Sequence, residues 1–169
     1  MSKKIMHLLT GTSFSGAENV ACQIMACFKN DAEYEVFYCS PDGKIREALK
    51  ERNVRFAPMK EWSLSEVKRI IREEKPDIIL TDINMPFLSG LELLQRLQNE
   101  YPEIITIAIS GYDDFDKVKG VFVSGGLDYL LKPVGKEEMV KVLTKALGLL
   151  EERENTKKQD ETSKLQKHK

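Results

Sequence analysis

The sequence runs Pro76-Asp77-Ile78-Ile79-Leu80-Thr81-Asp82-Ile83-Asn84-Met85-Pro86 near the middle of a chain of 169 residues. A short run of isoleucine and leucine passes directly into a polar turn that carries an aspartate and an asparagine. Apolar runs without strict alternation are typical of strands buried on both faces of a parallel sheet. The segment therefore predicts a central strand that places Asp82 at the end of a parallel sheet, where open α/β folds bind their ligands.

Five further apolar runs of similar length predict strands on either side of this one. They are Ile5 to Leu9, Val36 to Cys39, Val54 to Ala57, Ile104 to Ile109 and Leu127 to Leu131. Helical patterns alternate with them, as expected for βα units with right-handed crossovers. We predict an α/β fold with three layers, a Rossmann-like or flavodoxin-like doubly wound parallel sheet of six strands in the order 3-2-1-4-5-6.

The predicted helices have legible start signals. Ser63 and Ser89 each stand three residues before a glutamate, which is the spacing of a capping box. The last helix is predicted to begin near Lys136. Its apolar stripe comprises Met139, Val140, Leu143, Leu147 and Leu150.

The composition places residues 1–150 in one domain and separates residues 151–169 from it. The chain is 41% hydrophobic and 31% charged, ordinary values for a globular protein. Residues 151–169 hold five acids, six bases and a single large apolar residue, Leu165, so we predict a charged flexible tail. The alternative is a truncated linker towards an output domain.

Charge and cysteine content exclude several classes of function. A net charge of −1 gives no general attraction to nucleic acid or anionic lipid. No apolar run approaches the ~18 residues of a membrane span, and the N-terminal run is too short for a signal peptide. Three cysteines, an odd number without metal-ligand spacing, suggest reduced thiols. We therefore expect a cytoplasmic protein without nucleic-acid or membrane partners.

Three polar residues at successive predicted strand ends carry the candidate chemistry. Asp82 follows the fourth strand, Ser110 ends the fifth, and Lys132 follows the sixth. A carboxylate can attack a phosphoryl group, while a hydroxyl and an ammonium hold its oxygens. Each residue also has a plain structural interpretation: Asp82 as a turn cap, Ser110 as a helix cap and Lys132 as a solvated end. Their joint spacing favours the chemical interpretation.

The second half of the chain resembles response-regulator receiver domains. The residues that carry the resemblance are Pro76 to Pro86, Gly90-Leu91-Glu92-Leu93-Leu94, Ser110-Gly111-Tyr112-Asp113-Asp114-Phe115 and Gly126 to Pro133. The third of these segments is similar to receivers that precede AraC-type DNA-binding domains. The resemblance implies that Asp82 is the phosphoacceptor, Ser110 the switch hydroxyl, Tyr129 the switch aromatic and Lys132 the phosphate-contacting lysine. It also implies a cis bond between Lys132 and Pro133.

The first half departs from that family. A receiver's first strand ends in two adjacent acids that hold Mg²⁺, whereas this chain has no carboxylate between that strand and Glu18. It also has one βα unit too many before Asp82. Residues 3 to about 80 instead resemble the opening of a two-domain glycosyltransferase. The residues that carry this second resemblance are Lys4 to Leu9, Ser15-Gly16-Ala17-Glu18-Asn19-Val20, Tyr34-Glu35-Val36, Ile45 to Leu49 and Ile70 to Ile79.

These two resemblances lead us to expect a natural or engineered chimera, with residues 1–75 from a glycosyltransferase-like half and residues 76–150 from a receiver-like half. Such a chain would keep a remnant site without a selected activity, and we expect neither glycosyl transfer nor efficient phosphoryl transfer. One alternative is a working phosphoaspartate signalling domain. A second is a glycosyltransferase-like fragment that binds a sugar nucleotide.

Cofactor and partner expectations follow from the same residues. The turn with Gly11, Thr12, Ser13 and Gly16 is a weak candidate for anion binding, with a plain βα turn as the alternative. No cofactor is required, and Asp82 with Asn84 would contact Mg²⁺ only if the ion is bound. The receiver resemblance implies a phosphodonor or histidine kinase as partner, and a homodimer through the last strand and its flanking helices.

Overall fold

A computed structural model describes residues 2–8, 24, 27–28, 33–41, 44–51, 54–85, 89–111, 116, 119–121, 126 and 128–166. Its strands are β1 (Lys3–Leu8), β2 (Tyr34–Pro41), β3 (Arg55–Met59), β4 (Ile78–Asp82), β5 (Ile105–Ser110) and β6 (Asp128–Leu131). Its helices are α1 (Lys44–Glu51), α2 (Leu64–Glu74), α3 (Gly90–Glu100) and α4 (Lys136–Gln166). Each predicted strand is thus present, with ends within a few residues of the apolar runs.

The strands form one parallel sheet in the order β3-β2-β1-β4-β5-β6. This confirms the predicted fold class and strand order. The strand β4 lies between β1 and β5, so it is central, and all five of its residues are buried. The chain order reverses beside it, between β1 and β4, and this reversal creates the crevice in which α/β sheets bind ligands.

Two layers of helix cover the sheet. On one face, Val67 and Ile70 of α2 and Leu93 and Leu97 of α3 pack against Ile79 and its neighbours. On the opposite face, α4 packs its residues Met139, Leu143, Ala146 and Leu150 against alternate residues of β4 and β5. Burial of these apolar side chains on both faces is the main force that holds the three layers together.

The two predicted capping boxes have different outcomes. Ser63 caps α2, since its hydroxyl accepts a hydrogen bond from the Glu66 amide at 3.3 Å. The Glu66 carboxylate does not complete the box, because it accepts from the Lys60 amide at 2.9 Å and from Arg69. These bonds lower the pKa of Glu66 to about 2. Ser89 precedes α3 but makes no side-chain cap bond, so the second box is absent.

The last helix begins at Lys136, as predicted, but continues without a break to Gln166. Residues 151–165, predicted to form a flexible tail, are helical and exposed. The division of the chain at residue 150 stays a prediction. One member of the predicted stripe, Val140, is 40% exposed, while Val142 and Ala146 face the core in its place. No helix in the described part of the chain is long and apolar enough to cross a bilayer.

Candidate functional site

Asp82 is the last residue of β4 and lies at the carboxyl edge of the sheet. Its side chain is mostly buried, and each carboxylate oxygen has a partner. Oδ1 accepts a hydrogen bond from the backbone amide of Asn84 at 3.0 Å, and Oδ2 accepts one from the ammonium of Lys132. The carboxylate is therefore held by the turn that follows β4, through the Asn84 amide, and by the Lys132 side chain, which comes from the end of a different strand.

Lys132 directly follows β6, the edge strand. Its backbone amide donates to the carbonyl of Ser110 at 2.7 Å, which continues the β5–β6 pairing by one residue. The next peptide bond, between Lys132 and Pro133, is cis, as the receiver resemblance implies. This backbone path directs the lysine side chain over the end of β5 to Asp82.

Ser110 ends β5 between the other two residues. In the sheet register, Asp82 pairs with Ile109 and Ser110 pairs with Leu131, so the carboxyl ends of β4, β5 and β6 lie side by side. The side chain of Ser110 is fully buried, and its Oγ has no hydrogen-bond partner among the described residues. A hydroxyl in this condition is available to a ligand group that reaches the crevice.

Gly90 brings the first turn of α3 against the turn that follows Asp82. Its amide donates to the carbonyl of Ile83 at 3.0 Å. A Cβ at this position would lie 2.4 Å from the carbonyl oxygen of Asp82 and 2.6 Å from the Cα of Ile83. Only glycine fits this approach, so the helix start and the strand end determine each other's position.

Tyr129 lies on β6, opposite Ala108 of β5. Its half-buried side chain packs against a small apolar cluster on the α3 side of the sheet, which includes Ile83, Leu94 and Val121. This position is near the crevice but not in the contact between Asp82 and Lys132. Its role as a switch aromatic stays a prediction, as do the roles predicted for Asp82, Ser110 and Lys132.

His7 is a residue whose environment the sequence did not reveal. It pairs with Leu80 in the sheet register and so lies on the same face as Asp82, two residues nearer the amino end. It is buried, its ring packs against Tyr38 at 5.5 Å between centroids, and its Nδ1 has no partner among the described residues. Burial lowers the pKa of His7 to about 3, and the positive charge of Lys132 contributes to the shift.

The remaining candidate residues differ in what the structure says of them. Gly11, Thr12, Ser13 and Gly16 lie outside the described residues. Asn84 is exposed and contributes its backbone amide to Asp82. Sequence reasoning missed this amide, although an asparagine two residues after an aspartate is a common turn pattern.

In the described part of the chain, the oxygen donors at this site do not fit a divalent metal ion. Mg²⁺ prefers six oxygen ligands in octahedral geometry, and proteins hold it through carboxylates. Asp82 supplies a single carboxylate, and a lysine ammonium already occupies one of its oxygens. Among the described residues, no group of three or more histidine, cysteine, aspartate or glutamate side chains is placed to hold a metal.

Comparison with known families gives one clear match. The model of the response regulator receiver domain matches residues 43–144, which is more than half of the chain. The matched segment contains Asp82, Ser110, Tyr129 and Lys132.

Individual relatives agree with this match. An uncharacterized response regulatory protein of Staphylococcus epidermidis is 30% identical over 136 residues, which cover 75% of this chain and 52% of that protein. The DNA-binding transcriptional regulator NtrC of Escherichia coli is 30% identical over 90 residues, covering 53% of this chain and 19% of the regulator. The chain thus spans about half the length of the staphylococcal relative and less of NtrC.

Solved structures show the same fold. The receiver domain of AraT, a response regulator from Geobacillus stearothermophilus, is 21% identical, covers 91% of this chain and 99% of its own, and superposes with a TM-score of 0.61. A response regulator from Chloroflexus aurantiacus is 19% identical, covers 88% and 99%, and superposes with a TM-score of 0.62.

These findings overturn the prediction of a recombined or engineered chimera without a selected activity. The receiver model begins at residue 43, far before the predicted join near residue 76, and the staphylococcal relative aligns over three quarters of the chain. The predicted glycosyltransferase-like half, and with it the fragment that binds a sugar nucleotide, has no support. The error has a physical cause: strands rich in isoleucine, glycine turns and amphipathic helices are shared by parallel α/β folds generally. The chain belongs to the response regulator receiver domain family.

Proposed function

We propose that this chain is a phosphoaspartate signalling domain in which Asp82 is the phosphoacceptor. The observation that carries the proposal is the ion pair between Asp82 and Lys132, which spans β5. That strand ends in Ser110, whose buried hydroxyl has no hydrogen-bond partner among the described residues. The carboxylate can act as the nucleophile in a phosphoryl transfer, and the ammonium and the hydroxyl can hold the phosphoryl oxygens.

The reaction balances with a small phosphodonor such as acetyl phosphate. A carboxylate oxygen of Asp82 attacks the phosphorus atom, and the bond from phosphorus to the acetate oxygen breaks. Acetate leaves with the electron pair, and Asp82 becomes an acyl phosphate. The Lys132 ammonium and the Ser110 hydroxyl hold the phosphoryl oxygens, which carry the charge that develops during transfer.

The biological donor follows from family membership. Receiver domains take their phosphoryl group from a phosphohistidine on a kinase, so a histidine kinase is the proposed partner. The match with NtrC, a DNA-binding transcriptional regulator, covers only 19% of that protein. Contact of this chain with DNA is not part of the proposal, and the expectations of no nucleic-acid partner and of a homodimer stay predictions.

The test is phosphorylation by acetyl phosphate in the presence of Mg²⁺, read by intact-protein mass spectrometry. We expect an added mass of one HPO₃ group on the wild-type chain and none on Asp82→Asn. Asp128→Asn is the matched control, because it removes a partly exposed carboxylate at the start of β6 that pairs with Lys145. Equal phosphorylation of wild type and Asp82→Asn, or none of wild type, would refute the proposal.

A further inference from the structure

Among the described residues, the charge on Asp82 is balanced by Lys132 without a metal ion. Asp82 carries one negative charge, and the ammonium that contacts its Oδ2 carries one positive charge. Its Oδ1 is taken by the Asn84 amide. A divalent cation that approached Asp82 would therefore meet a carboxylate already neutralised, and it would be repelled by the ammonium at close range.

The sequence supplies no further carboxylate at the start of the chain. The residues that follow β1 are Leu9, Thr10, Gly11, Thr12, Ser13, Phe14, Ser15, Gly16 and Ala17, and the first acid after the strand is Glu18. No pair of adjacent acids therefore follows β1 in this chain, at the position where a receiver carries the two acids that hold Mg²⁺. Hydroxyl oxygens alone are weak ligands for a strongly hydrated ion such as Mg²⁺.

We infer that this site accepts its phosphoryl group without a divalent cation, and that the Lys132 ammonium provides the positive charge that the ion would provide. The inference rests on the proposed function and concerns the same site. In the reaction with acetyl phosphate, the P–O bond to Asp82 forms and the P–O bond to acetate breaks, as above. The ammonium, which contacts Asp82 Oδ2 before the reaction, then contacts a phosphoryl oxygen. The same cation therefore balances the negative charge of the carboxylate and of the acyl phosphate.

The first experiment compares the initial rate of Asp82 phosphorylation by acetyl phosphate in millimolar Mg²⁺ and in excess EDTA. Hydrolysis of acetyl phosphate alone is measured in both buffers, so that an effect of Mg²⁺ on the donor is subtracted. We expect rates that agree within about twofold, whereas a metal-assisted transfer would lose on the order of tenfold or more in EDTA. A loss of that size would overturn the inference while leaving Asp82 as the phosphoacceptor.

The second experiment measures cation binding directly, with no phosphodonor present. Mn²⁺ is titrated into the full chain and the free ion is followed by electron paramagnetic resonance. We expect no saturable binding at millimolar Mn²⁺ for wild type. The double variant Leu9→Asp with Thr10→Asp restores adjacent acids after β1, and Leu9→Asn with Thr10→Asn is its uncharged control. We expect binding for the aspartate variant alone.

The two experiments separate the inference from the proposed function. Saturable Mn²⁺ binding by wild type, abolished in Asp82→Asn, would overturn the inference whether or not the chain is phosphorylated. Absence of phosphorylation in both buffers would refute the proposed function. In that case, Mn²⁺ binding by the aspartate variant but not by wild type would still show that the wild-type site binds no divalent cation. If circular dichroism shows that neither the aspartate nor the asparagine variant folds, the Mn²⁺ titrations of wild type and Asp82→Asn alone test the inference.

Discussion

Lys132 and Asp82 form an ion pair across a strand that contains neither of them. Asp82 ends β4 and Lys132 follows β6, and β5 lies between these strands in the sheet. The pair therefore ties three consecutive strands together at the carboxyl edge. The Asp82 side chain is 11% exposed and that of Lys132 is 35% exposed, so solvent screens the lysine more than the carboxylate.

Removal of the ammonium should destabilise the fold. Lys132→Met keeps much of the side-chain length but leaves a largely buried carboxylate whose one remaining partner among the described residues is the Asn84 amide. We expect a loss of about 1–3 kcal/mol in the free energy of unfolding at pH 7, measured by urea denaturation. The matched control is Lys145→Met, which breaks an exposed pair with Asp128 and should cost less than about 0.5 kcal/mol. Equal losses of unfolding free energy in the two variants would show that the pair of Asp82 with Lys132 stabilises the fold no more than an exposed ion pair does.

A methyl group at Gly90 should disturb the turn after Asp82. Its Cβ would lie 2.4 Å from a backbone oxygen, which cannot move aside as a flexible side chain would. We expect Gly90→Ala to cost at least about 2 kcal/mol of unfolding free energy. Gly148→Ala is the control, because nothing lies within 4 Å of a Cβ at that position in α4. It should gain about 0.5–1 kcal/mol from helix propensity. A neutral Gly90→Ala would mean that α3 can shift away from β4.

The architecture was predictable because strand burial leaves a strong pattern. Both faces of β4 and β5 are covered, so their sequences are continuous apolar runs, and parallel pairing brings their carboxyl ends to one edge. The convergence of Asp82, Ser110 and Lys132 follows from that rule alone. The assignment of the first half to a glycosyltransferase was wrong because its turns and helices use residues that many α/β folds share.

Finer features depend on neighbours that a sequence pattern does not specify. Ser89 has the spacing of a cap, yet α3 begins at Gly90, whose position is set by contact with the end of β4. Val140 fits the helical stripe of α4 in the sequence, yet its side chain is exposed in the structure. Among the described residues His7 Nδ1 has no hydrogen-bond partner. Whether it finds one depends on side chains from other strands, which a sequence pattern does not specify.

The segment after Leu150 should contribute little to the stability of the domain. Its contacts with the body include the ion pair of Glu154 with Lys3 and a 3.1 Å hydrogen bond from Arg153 to the Glu103 carbonyl, both exposed. A chain that ends at Leu150 should unfold within about 1 kcal/mol of the full chain, since exposed pairs are weak. Its far-UV circular dichroism should lose the helical signal of residues 151–166.

The double variant Lys3→Met with Arg153→Met is the control for that truncation, because it removes the same two contacts from the full-length chain. We expect it to match the truncated chain in the urea midpoint while keeping the helical signal. A loss above about 2 kcal/mol in the truncated chain alone would place residues 151–166 inside the cooperative domain and would move the predicted boundary.

The stability of the domain should fall in acid because of His7. The pKa of this buried imidazole is about 3 in the folded chain, below the value near 6.5 expected when it is exposed by unfolding. The unfolded chain therefore binds the extra proton between these two values, so the His7 contribution is constant above pH 6.5 and decreases as pH falls towards 3. The integrated loss is on the order of 3 kcal/mol at pH 4. Urea midpoints measured from pH 7.5 to pH 4 should show it.

His7→Leu is the variant that isolates this effect. Leucine cannot take up a proton, so the variant should lose the part of the acid dependence that begins near pH 6.5. Acid sensitivity from carboxylates such as Glu66, whose pKa is about 2, should remain in both proteins, because it develops below about pH 4.5. The loss of stability between pH 6.5 and pH 4.5 is therefore attributed to His7. If the urea midpoints of wild type and His7→Leu change in parallel across this range, His7 takes up its proton in the folded chain.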